Sequence, residues 1–504
     1  MSLLRKLASD TAAYGLSSIL ARLINYVFSF LIVKAVSTAE YGDYTKFYAY
    51  AGFLQVVLTH GMETAYFRFK NKNGHNPKAF ATGFFSMAWV SLLFVLLAYL
   101  FQEPIARLTR VEQNSEYVLY FAWIMALDTL VALPFASLRA HNKAVRFAVF
   151  RIINILIFIF FILLFLFWMP DWYASGVQWA KPLLAFYDPG IGIGYVFLAN
   201  LIASIITFFM LAGELRQIRF GFDSRLYKAM LPYALPIMLV GFAGMINEML
   251  SRVMMEYLLP YDPVTNKEML GIFGFNYKFA MLITLFLQAY RYAAEPFFFA
   301  NANNENAKEV YAKSMHYFII AGTFIFLGVM VMLPLIQHIL LLFDAKYAEY
   351  FQGQQVIPVL LAANLTLGIY FNLSTWYKVT DKTHIGAMIA IYGAISTFVL
   401  NWLLIPAYGD TGAALSTLLC YISMVAVGFI AEQKYYPIPY TYLASGSYII
   451  LALVLWLAFQ GVRDMLGLNI ITTTILSLVL LVIFIAVVYI RESGKLRSRK
   501  KLKS

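Results

Sequence analysis

The sequence predicts an all-α integral membrane protein with 14 transmembrane helices, in two lobes of six helices followed by two C-terminal helices. The 504-residue chain is 62% hydrophobic and 13% charged, with a mean hydropathy of +0.72. Soluble proteins contain about 45–50% apolar and about 25% charged residues, so the composition excludes a soluble, disordered or fibrous chain. Apolar segments of about 20 residues, the length that crosses a bilayer, recur almost from end to end. Basic residues are concentrated in alternate loops.

Clusters of charged, Gly, Pro and Asn residues divide the chain into successive apolar segments. The eighth segment is the least apolar, because it contains Lys278, Arg291 and Glu295. It is retained because its removal would invert the orientation of every later loop. The predicted spans are 8–34, 45–67, 79–101, 116–138, 143–168, 190–213, 229–258, 269–298, 311–336, 352–377, 384–405, 411–431, 439–461 and 468–490.

The formal net charge of +12 sets the predicted orientation. Basic residues crowd the loops at 68–78, 139–146 and 216–228 and the tail from Arg491, which favours both termini in the cytoplasm. A basic segment next to the membrane attracts anionic lipid headgroups, so membrane lipids and not nucleic acid are the expected partners of the tail. Cys420 is the single cysteine, which excludes an intramolecular disulfide.

An even number of helices in each half makes spans one to six and seven to twelve parallel repeats. The predicted domains are therefore an N-lobe at 1–215, a C-lobe at 216–433, the last two spans at 434–490, and a basic cytoplasmic tail at 491–504. A short sequence similarity between the segments that follow the first and seventh spans agrees with this repeat. It consists of Gly-Asp-Tyr at 42–44 and Gly-Ile-Phe at 271–273.

Charged residues in the middle of a bilayer cost about 2.5–3.5 kcal/mol each, so their positions indicate where lipid is absent. They concentrate in the first and second helices of the two halves, which is the expected lining of a hydrated cavity. Arg22, Arg252 and Arg291 exceed what the neighbouring carboxylates need, and guanidinium binds phosphate through paired hydrogen bonds. The predicted diphosphate-binding residues are Arg22, Arg252, Arg291 and Lys278, and the predicted polar lining or ion-coupling residues are Asn25, Tyr26, Glu63, Asp128, Glu248 and Glu295.

Structural explanations stay open for several of these charges. Glu248 and Arg252 are four residues apart, as are Arg291 and Glu295, so each pair can neutralise itself on one helix face. For Glu63, Arg151 and Lys278, a structural role as ion pairs or as side chains that reach the interface is as compatible with the sequence as a place in the cavity lining. Asp128 is either a proton or cation site or a hydrogen bond between packed helices.

Motifs for chemistry are missing from the sequence. It contains no Asp-x-Asp pair, no Walker loop and no Gly-x-Ser-x-Gly elbow, and its six histidines lack metal-ligand spacing. No enzyme activity, metal or cofactor is therefore expected. Because the chain has no Walker loop, ATP hydrolysis by this chain is not expected. Any energy that it uses must come from an ion gradient, the membrane potential or consumption of the product.

Several segments carry a family resemblance: LASDTAAYG at 7–15, ARLIN at 21–25, AEYG at 39–42, RYAAEPFFF at 291–299, LIPAYG at 404–409 and GAA at 412–414. They resemble the bacterial oligosaccharide (O-antigen, Wzx-type) flippases, a polysaccharide transporter branch of the MATE/MOP exporter superfamily that is related to the lipid II flippase. The resemblance implies a 14-helix fold that works by alternating access in the inner membrane. It also implies that arginines of the first and of the seventh or eighth helices engage the diphosphate, and by position these are Arg22, Arg252 and Arg291.

The same resemblance implies export of an undecaprenyl-diphosphate-linked oligosaccharide from the cytoplasmic to the periplasmic leaflet, for O-antigen, lipopolysaccharide or another surface polysaccharide. The implied partners are the lipid-linked oligosaccharide, membrane lipids, a coupling ion (H⁺ or Na⁺) and other polysaccharide-assembly proteins. One alternative is a MATE-type drug or cation exporter, although the positive candidate lining argues against cationic cargo. Another is an O-antigen polymerase or ligase, although this chain lacks the large periplasmic loops such enzymes use.

Overall fold

The computed structural model describes residues 23–24, 26–71, 76, 78–141, 143–302 and 304–501, and these residues contain helices and no β-strand. One π-helical segment, Leu164–Trp168, follows α7. Short 3-10 helices occur at Glu112–Asn114, Gln178–Ala180, Pro189–Ile191 and Arg216–Phe220. The α-helices are α1 (Tyr26–Ala35), α2 (Thr38–Thr59), α3 (Met62–Asn71), α4 (Lys78–Leu100), α5 (Gln102–Leu108), α6 (Glu116–Ala140), α7 (Ala144–Leu163), α8 (Met169–Ser175), α9 (Lys181–Leu184), α10 (Gly194–Met210), α11 (Ala212–Leu215), α12 (Ser224–Leu258), α13 (Pro263–Asn301), α14 (Ala307–Phe343), α15 (Tyr347–Phe351), α16 (Val356–Leu373), α17 (Thr375–Val379), α18 (Thr383–Tyr435), α19 (Tyr442–Leu466) and α20 (Ile470–Lys501).

The all-α membrane fold is confirmed. By length and composition, ten described helical stretches could cross a membrane, and an eleventh if α10 and the bent segment Ala212–Phe220 form one span. The 53-residue α18 contains both the eleventh and the twelfth predicted spans, which Gly409 separates with a positive φ of 61° just after Pro406. Most of the first predicted span lies outside the described residues, and the total of 14 stays a prediction.

Polar side chains fix where several long helices begin. Ser37 and Glu40 form a capping box at α2, in which the Glu40 carboxylate accepts the Ser37 N–H at 2.8 Å. Asp223 accepts the main-chain N–H of Leu226 at 3.1 Å and so caps α12. Asp262 caps α13 in the same way, since it accepts the main-chain N–H of Thr265. This hydrogen bond and the one from the Thr265 hydroxyl lower the pKa of the Asp262 carboxyl.

The chain forms two compact units. The first comprises Met1–Gly274 and Ala394–Gly409, and the second comprises Phe275–Gly393 and Asp410–Ser504. In the first unit α12 packs along α2 and α3, although the sequence places α12 in the C-lobe. The lobes at 1–215 and 216–433, the pair at 434–490 and the tail at 491–504 stay predictions.

Each unit has its own apolar core. In the first, Tyr66, Phe80 and Leu133 are buried against Met230 of α12. In the second, α14 packs against α16, α19 and α20. Its core includes Leu327, Val331, Tyr448, Phe459 and Phe484. The last two helices are therefore part of the second unit's core.

Candidate functional site

A buried group of charges joins α2 to α12 in the first unit. Lys46 and Glu256 are both 0% exposed, and Nζ of Lys46 lies 2.8 Å from Oε1 of Glu256. The same Nζ lies 2.9 Å from Oδ1 of Asp43 and donates a hydrogen bond to the main-chain oxygen of Thr109 at 2.5 Å. Lys267, in the first turns of α13, lies 3.2 Å from Asp43. We call Asp43, Lys46, Glu256 and Lys267 the Lys46 cluster.

The segment that follows α5 closes over this cluster. Arg110 donates a hydrogen bond to the main-chain oxygen of Glu256 at 2.8 Å, and its guanidinium lies 4.8 Å from the centre of the Tyr257 ring. The Tyr257 hydroxyl donates to the oxygen of Leu108 at 2.6 Å, and Asn266 donates to the oxygen of Glu256 at 3.1 Å. Three regions far apart in sequence, at 43–46, 108–110 and 256–267, are thus held together in the first unit.

Two glycines allow α2 and α13 to approach backbone to backbone beside the Lys46 cluster. A Cβ at Gly271 would overlap the main-chain oxygen of Thr38, and a Cβ at Gly42 would overlap the main-chain oxygen of Lys267. Small residues at such crossings are typical of packed membrane helices. The Gly-x-x similarity in the sequence, which predicts a repeat, therefore marks two segments that pack against each other.

We expect Gly271→Ala to destabilise the protein by about 1–3 kcal/mol, because the added methyl group must push α13 away from α2. Gly244→Ala in α12 is the matched control, since a Cβ there would meet nothing within 4 Å. Alanine should be neutral or slightly stabilising at that position, because it has the higher helix propensity. Chemical denaturation of the two purified variants measures the difference, and equal stability would contradict the close approach.

The other predicted residues of the first unit are mostly committed to helix packing. Glu63 of α3 forms an ion pair with Arg139 at the end of α6. Asp128 of α6 accepts a hydrogen bond from the Ser204 hydroxyl of α10 at 2.7 Å. Tyr26 of α1 stacks edge to face on a neighbouring aromatic ring. Arg22 and Asn25 lie outside the described residues.

Arg252 does not pair with Glu248 as their spacing allows. Within the part of the chain that the structure describes, no oxygen of Glu248 comes within 4.0 Å of a basic nitrogen. Arg252 is 8% exposed and donates to the sulfur of Met249. The neighbouring Asn247 accepts a hydrogen bond from Thr397 at 3.2 Å.

The second unit holds a cationic pocket at the end of α13. Nη2 of Arg291 lies 3.7 Å from Oε1 of Glu295, and Nζ of Lys378 lies 2.8 Å from the same oxygen. The guanidinium also lies 4.2 Å from the centre of the Phe371 ring. We call Arg291, Glu295 and Lys378 the Arg291 cluster. It contains two cations and one carboxylate, so it carries a surplus positive charge.

The wall of this pocket combines aromatic side chains, among them Phe298, Phe299 and Phe371, with a few polar groups. Its wall includes Tyr290 and Thr375, and the Tyr290 hydroxyl donates to Oδ1 of Asn372 at 2.5 Å. The side chain of Arg291 is 40% exposed, while its Nε is buried without a hydrogen-bond partner among the described residues. Lys278, earlier on α13, is buried with 5% exposure. The pocket can therefore present a partly desolvated guanidinium to an anion.

Sequence reasoning missed Lys46, Glu256 and Lys378. Lys46 lies in the predicted second span and Glu256 in the seventh, so their positions inside apolar segments were a signal that the pair is buried. Lys378 lies at the boundary of a predicted span, where a lysine is ordinary, and no pattern in the sequence connects it to Glu295.

An apolar groove of about 780 Å³ opens in the first unit. Phe53 and Leu54 of α2, Phe94 of α4, Phe242 of α12 and Phe398 of α18 line it. Thr109, whose main-chain oxygen binds Lys46, lies at its margin.

A family model described as "Polysaccharide biosynthesis protein" matches residues 7–302, which is more than half of the chain. The chain belongs to this family. The matched region of this family member contains the Lys46 cluster and Arg291. A second family model, MatE, matches residues 236–403. No curated protein matches the chain.

Solved structures share the fold of this family member. "Lipid II flippase MurJ, inward closed conformation" is similar with a TM-score of 0.71 and 15% identity, over 94% of this chain and 98% of that chain. An inward-facing multidrug resistance MATE family transporter of the MOP superfamily is similar with a TM-score of 0.65 and 14% identity, over 83% and 96%. The MATE multidrug transporter DinF-BH is similar with a TM-score of 0.61 and 15% identity, over 86% of this chain and 96% of that chain. These structures confirm the predicted fold, and the two family models confirm the predicted resemblance to polysaccharide transporters and MATE proteins. The chain is a multi-pass membrane protein.

Proposed function

We propose that the protein is a flippase that moves an undecaprenyl-diphosphate-linked oligosaccharide from the cytoplasmic to the periplasmic leaflet of the inner membrane. The observation that carries the proposal is the Arg291 cluster, in which Arg291 and Lys378 share the single carboxylate of Glu295. Two cations on one carboxylate favour an anion that offers several oxygens. A diphosphate fits this requirement, because guanidinium and ammonium groups both bind phosphate oxygens.

We further propose that the protein works by alternating access, which the order of the two clusters along α13 supports. With both termini in the cytoplasm, α13 begins on the periplasmic side near Lys267 and ends on the cytoplasmic side near Arg291. The Lys46 cluster then closes the periplasmic side while the Arg291 cluster receives the headgroup from the cytoplasm. Release on the other side requires the Lys46 cluster to separate.

The lipid tail stays in the bilayer during this transfer. Moving sugar hydroxyls and a diphosphate through hydrocarbon unaided is strongly unfavourable, so a hydrated path across the protein accelerates the step. We assign Arg22, Arg252 and Lys278 to the headgroup's path, with Asn25, Tyr26 and Glu248 as polar lining. Glu63 and Asp128 contribute to helix packing through Arg139 and Ser204.

Export of a drug or an organic cation is the second candidate, since the MatE match over residues 236–403 favours it. A surplus of positive charge at the Arg291 cluster opposes a cationic cargo. The two candidates therefore differ in the charge of the molecule that they move.

We expect proteoliposomes that contain the purified protein to move a fluorescently labelled undecaprenyl-diphosphate oligosaccharide between leaflets, measured by its accessibility to a membrane-impermeant quencher. The same vesicles should not accumulate ethidium, a cationic dye. Imposed H⁺ and Na⁺ gradients, applied separately, identify the coupling ion. Transport of ethidium without movement of the lipid would instead establish the drug exporter, and protein-free vesicles set the background.

A further inference from the structure

A polar pocket in the second unit has no part in the clusters described above. It lies where the end of α14, the segment before α16 and the last turns of α19 meet. Its volume is about 180 Å³, whereas a single water needs about 10–15 Å³ by the same measure. The pocket therefore has room for a ligand considerably larger than water.

Four glutamines supply the polar groups of this pocket. Gln337 donates a hydrogen bond from Nε2 to Oε1 of Gln354 at 2.6 Å, and Gln355 donates from Nε2 to Asp410 at 3.0 Å. Among the described residues, the oxygen of Gln337, the nitrogen of Gln354 and both ends of Gln460 make no further side-chain hydrogen bond. An amide offers two donors and an acceptor, so the pocket presents unused groups of both kinds.

The pocket has little net charge to offer. Arg463 is the one charged side chain among the described residues that line it, and Nη2 of Arg463 lies 2.8 Å from Oδ1 of Asp464. Because this cation is already paired, the pocket favours a neutral ligand over a phosphate. The aromatic side chains of Trp456 and Phe459 form another part of the wall.

We propose that this pocket binds a sugar ring of a neutral oligosaccharide. A pyranose has hydroxyl groups around its edge that both donate and accept hydrogen bonds, and a C–H face that packs against an aromatic side chain. Unused amides beside an indole match both features. A hydrocarbon chain would leave these amides without partners, and the apolar groove of the first unit suits such a chain better.

The role of the pocket follows from the side of the membrane on which it lies. The C-terminal ends of α14 and α19 face the periplasm in the orientation proposed above, so the pocket would meet the glycan after it crosses the membrane. Binding of sugar depends on the pocket alone, whereas its use for the transported glycan rests on the proposed function.

Titration with defined sugars tests the inference. The full chain is held in lipid nanodiscs, because maltoside detergents carry a sugar that could occupy the pocket. Maltose and N,N′-diacetylchitobiose are the probes, followed by saturation-transfer NMR, and glycerol 3-phosphate represents a phospholipid headgroup. We expect at least one disaccharide to bind with millimolar affinity, and glycerol 3-phosphate to bind at least tenfold more weakly.

Substitutions in the pocket test whether the sugar binds there. Gln337→Leu/Gln460→Leu should weaken disaccharide binding at least tenfold, while Gln352→Leu, an exposed glutamine outside the pocket, should leave it unchanged. Thermal denaturation confirms that each variant is folded, and Trp456→Phe provides a second variant that keeps an aromatic ring.

Three outcomes would overturn the inference: no binding of either sugar, equal affinity in the glutamine variant, or stronger binding of glycerol 3-phosphate. Failure of the proposed function has a different signature. A protein that moves the lipid-linked oligosaccharide but binds no sugar contradicts only this inference. A protein that binds sugar in this pocket but moves no lipid contradicts only the flippase.

Discussion

Lys46→Met should destabilise the protein by about 3–5 kcal/mol, because it leaves the carboxylate of Glu256 buried without its ion-pair partner. Oε2 of Glu256 already lacks a hydrogen-bond partner in the described structure, and Arg110 binds only its main-chain oxygen. Glu256→Gln should destabilise the protein less than Lys46→Met, since Lys46 keeps its ion pair with Asp43 and its hydrogen bond to the main-chain oxygen of Thr109. Denaturation of the purified variants measures both effects.

The double variant Lys46→Met/Glu256→Met should recover most of the lost stability. Replacing both members of a buried ion pair by apolar residues of similar size is often neutral or stabilising, whereas removing one member is not. Lys181→Met is the control for removing a lysine, because Lys181 is exposed. A Lys46→Met protein as stable as this control would show that the pair contributes nothing to the fold.

The same double variant tests the gate that we propose. With the pair absent but the fold intact, the periplasmic end should open more often. A cysteine at Thr109, in a Cys420→Ser background, should then react faster with a membrane-impermeant maleimide than it does when Lys46 and Glu256 are present. Unchanged labelling in a folded double variant would mean that this end does not open through the Lys46 cluster.

Local patterns account for what the sequence predicts well. An apolar stretch of about 20 residues forms a helix in a membrane whatever its neighbours, so most of the long described helices overlap a predicted span. The predicted span 45–67 is an exception, since it is divided between α2 and α3. The Arg291–Glu295 ion pair is also local, since the two residues are four apart on one helix and the spacing allows the contact. Glu248 and Arg252 have the same spacing without the contact, and Arg252 donates to the sulfur of Met249.

Distant partners account for most of what the sequence could not predict. Lys46 and Glu256 are 210 positions apart, and Lys378 and Glu295 are 83 apart. Periodicity and hydropathy place each residue on its own helix but do not indicate which helices touch. The backbone contact at Gly42 and Gly271 likewise becomes visible only when α2 and α13 are packed, since the same residues in sequence suggest a repeat.

Arg291→Ala should reduce the rate of lipid translocation by about tenfold to 100-fold, because a hydrogen bond to a charged group contributes about 1.5–3 kcal/mol. Arg291→Lys should be intermediate, since lysine keeps the charge but not the two-pronged geometry. Lys378→Ala should have a smaller effect in the same direction, because Arg291 remains beside Glu295. Proteoliposome translocation measures all three, with the exposed Arg225→Ala as control.

A purely structural role for Arg291 would give the same loss in the single variant, so Glu295 must be changed as well. If Arg291 serves only to neutralise Glu295, then Arg291→Ala/Glu295→Gln should restore translocation, because no carboxylate remains to be neutralised. If Arg291 contacts the diphosphate, the double variant should translocate lipid as slowly as Arg291→Ala. Glu295→Gln alone should then bind undecaprenyl diphosphate more tightly than the unmodified protein, because both cations of the Arg291 cluster become available to the phosphate oxygens. Recovery of transport in the double variant, together with unchanged affinity in Glu295→Gln, would remove the Arg291 cluster from the headgroup's path.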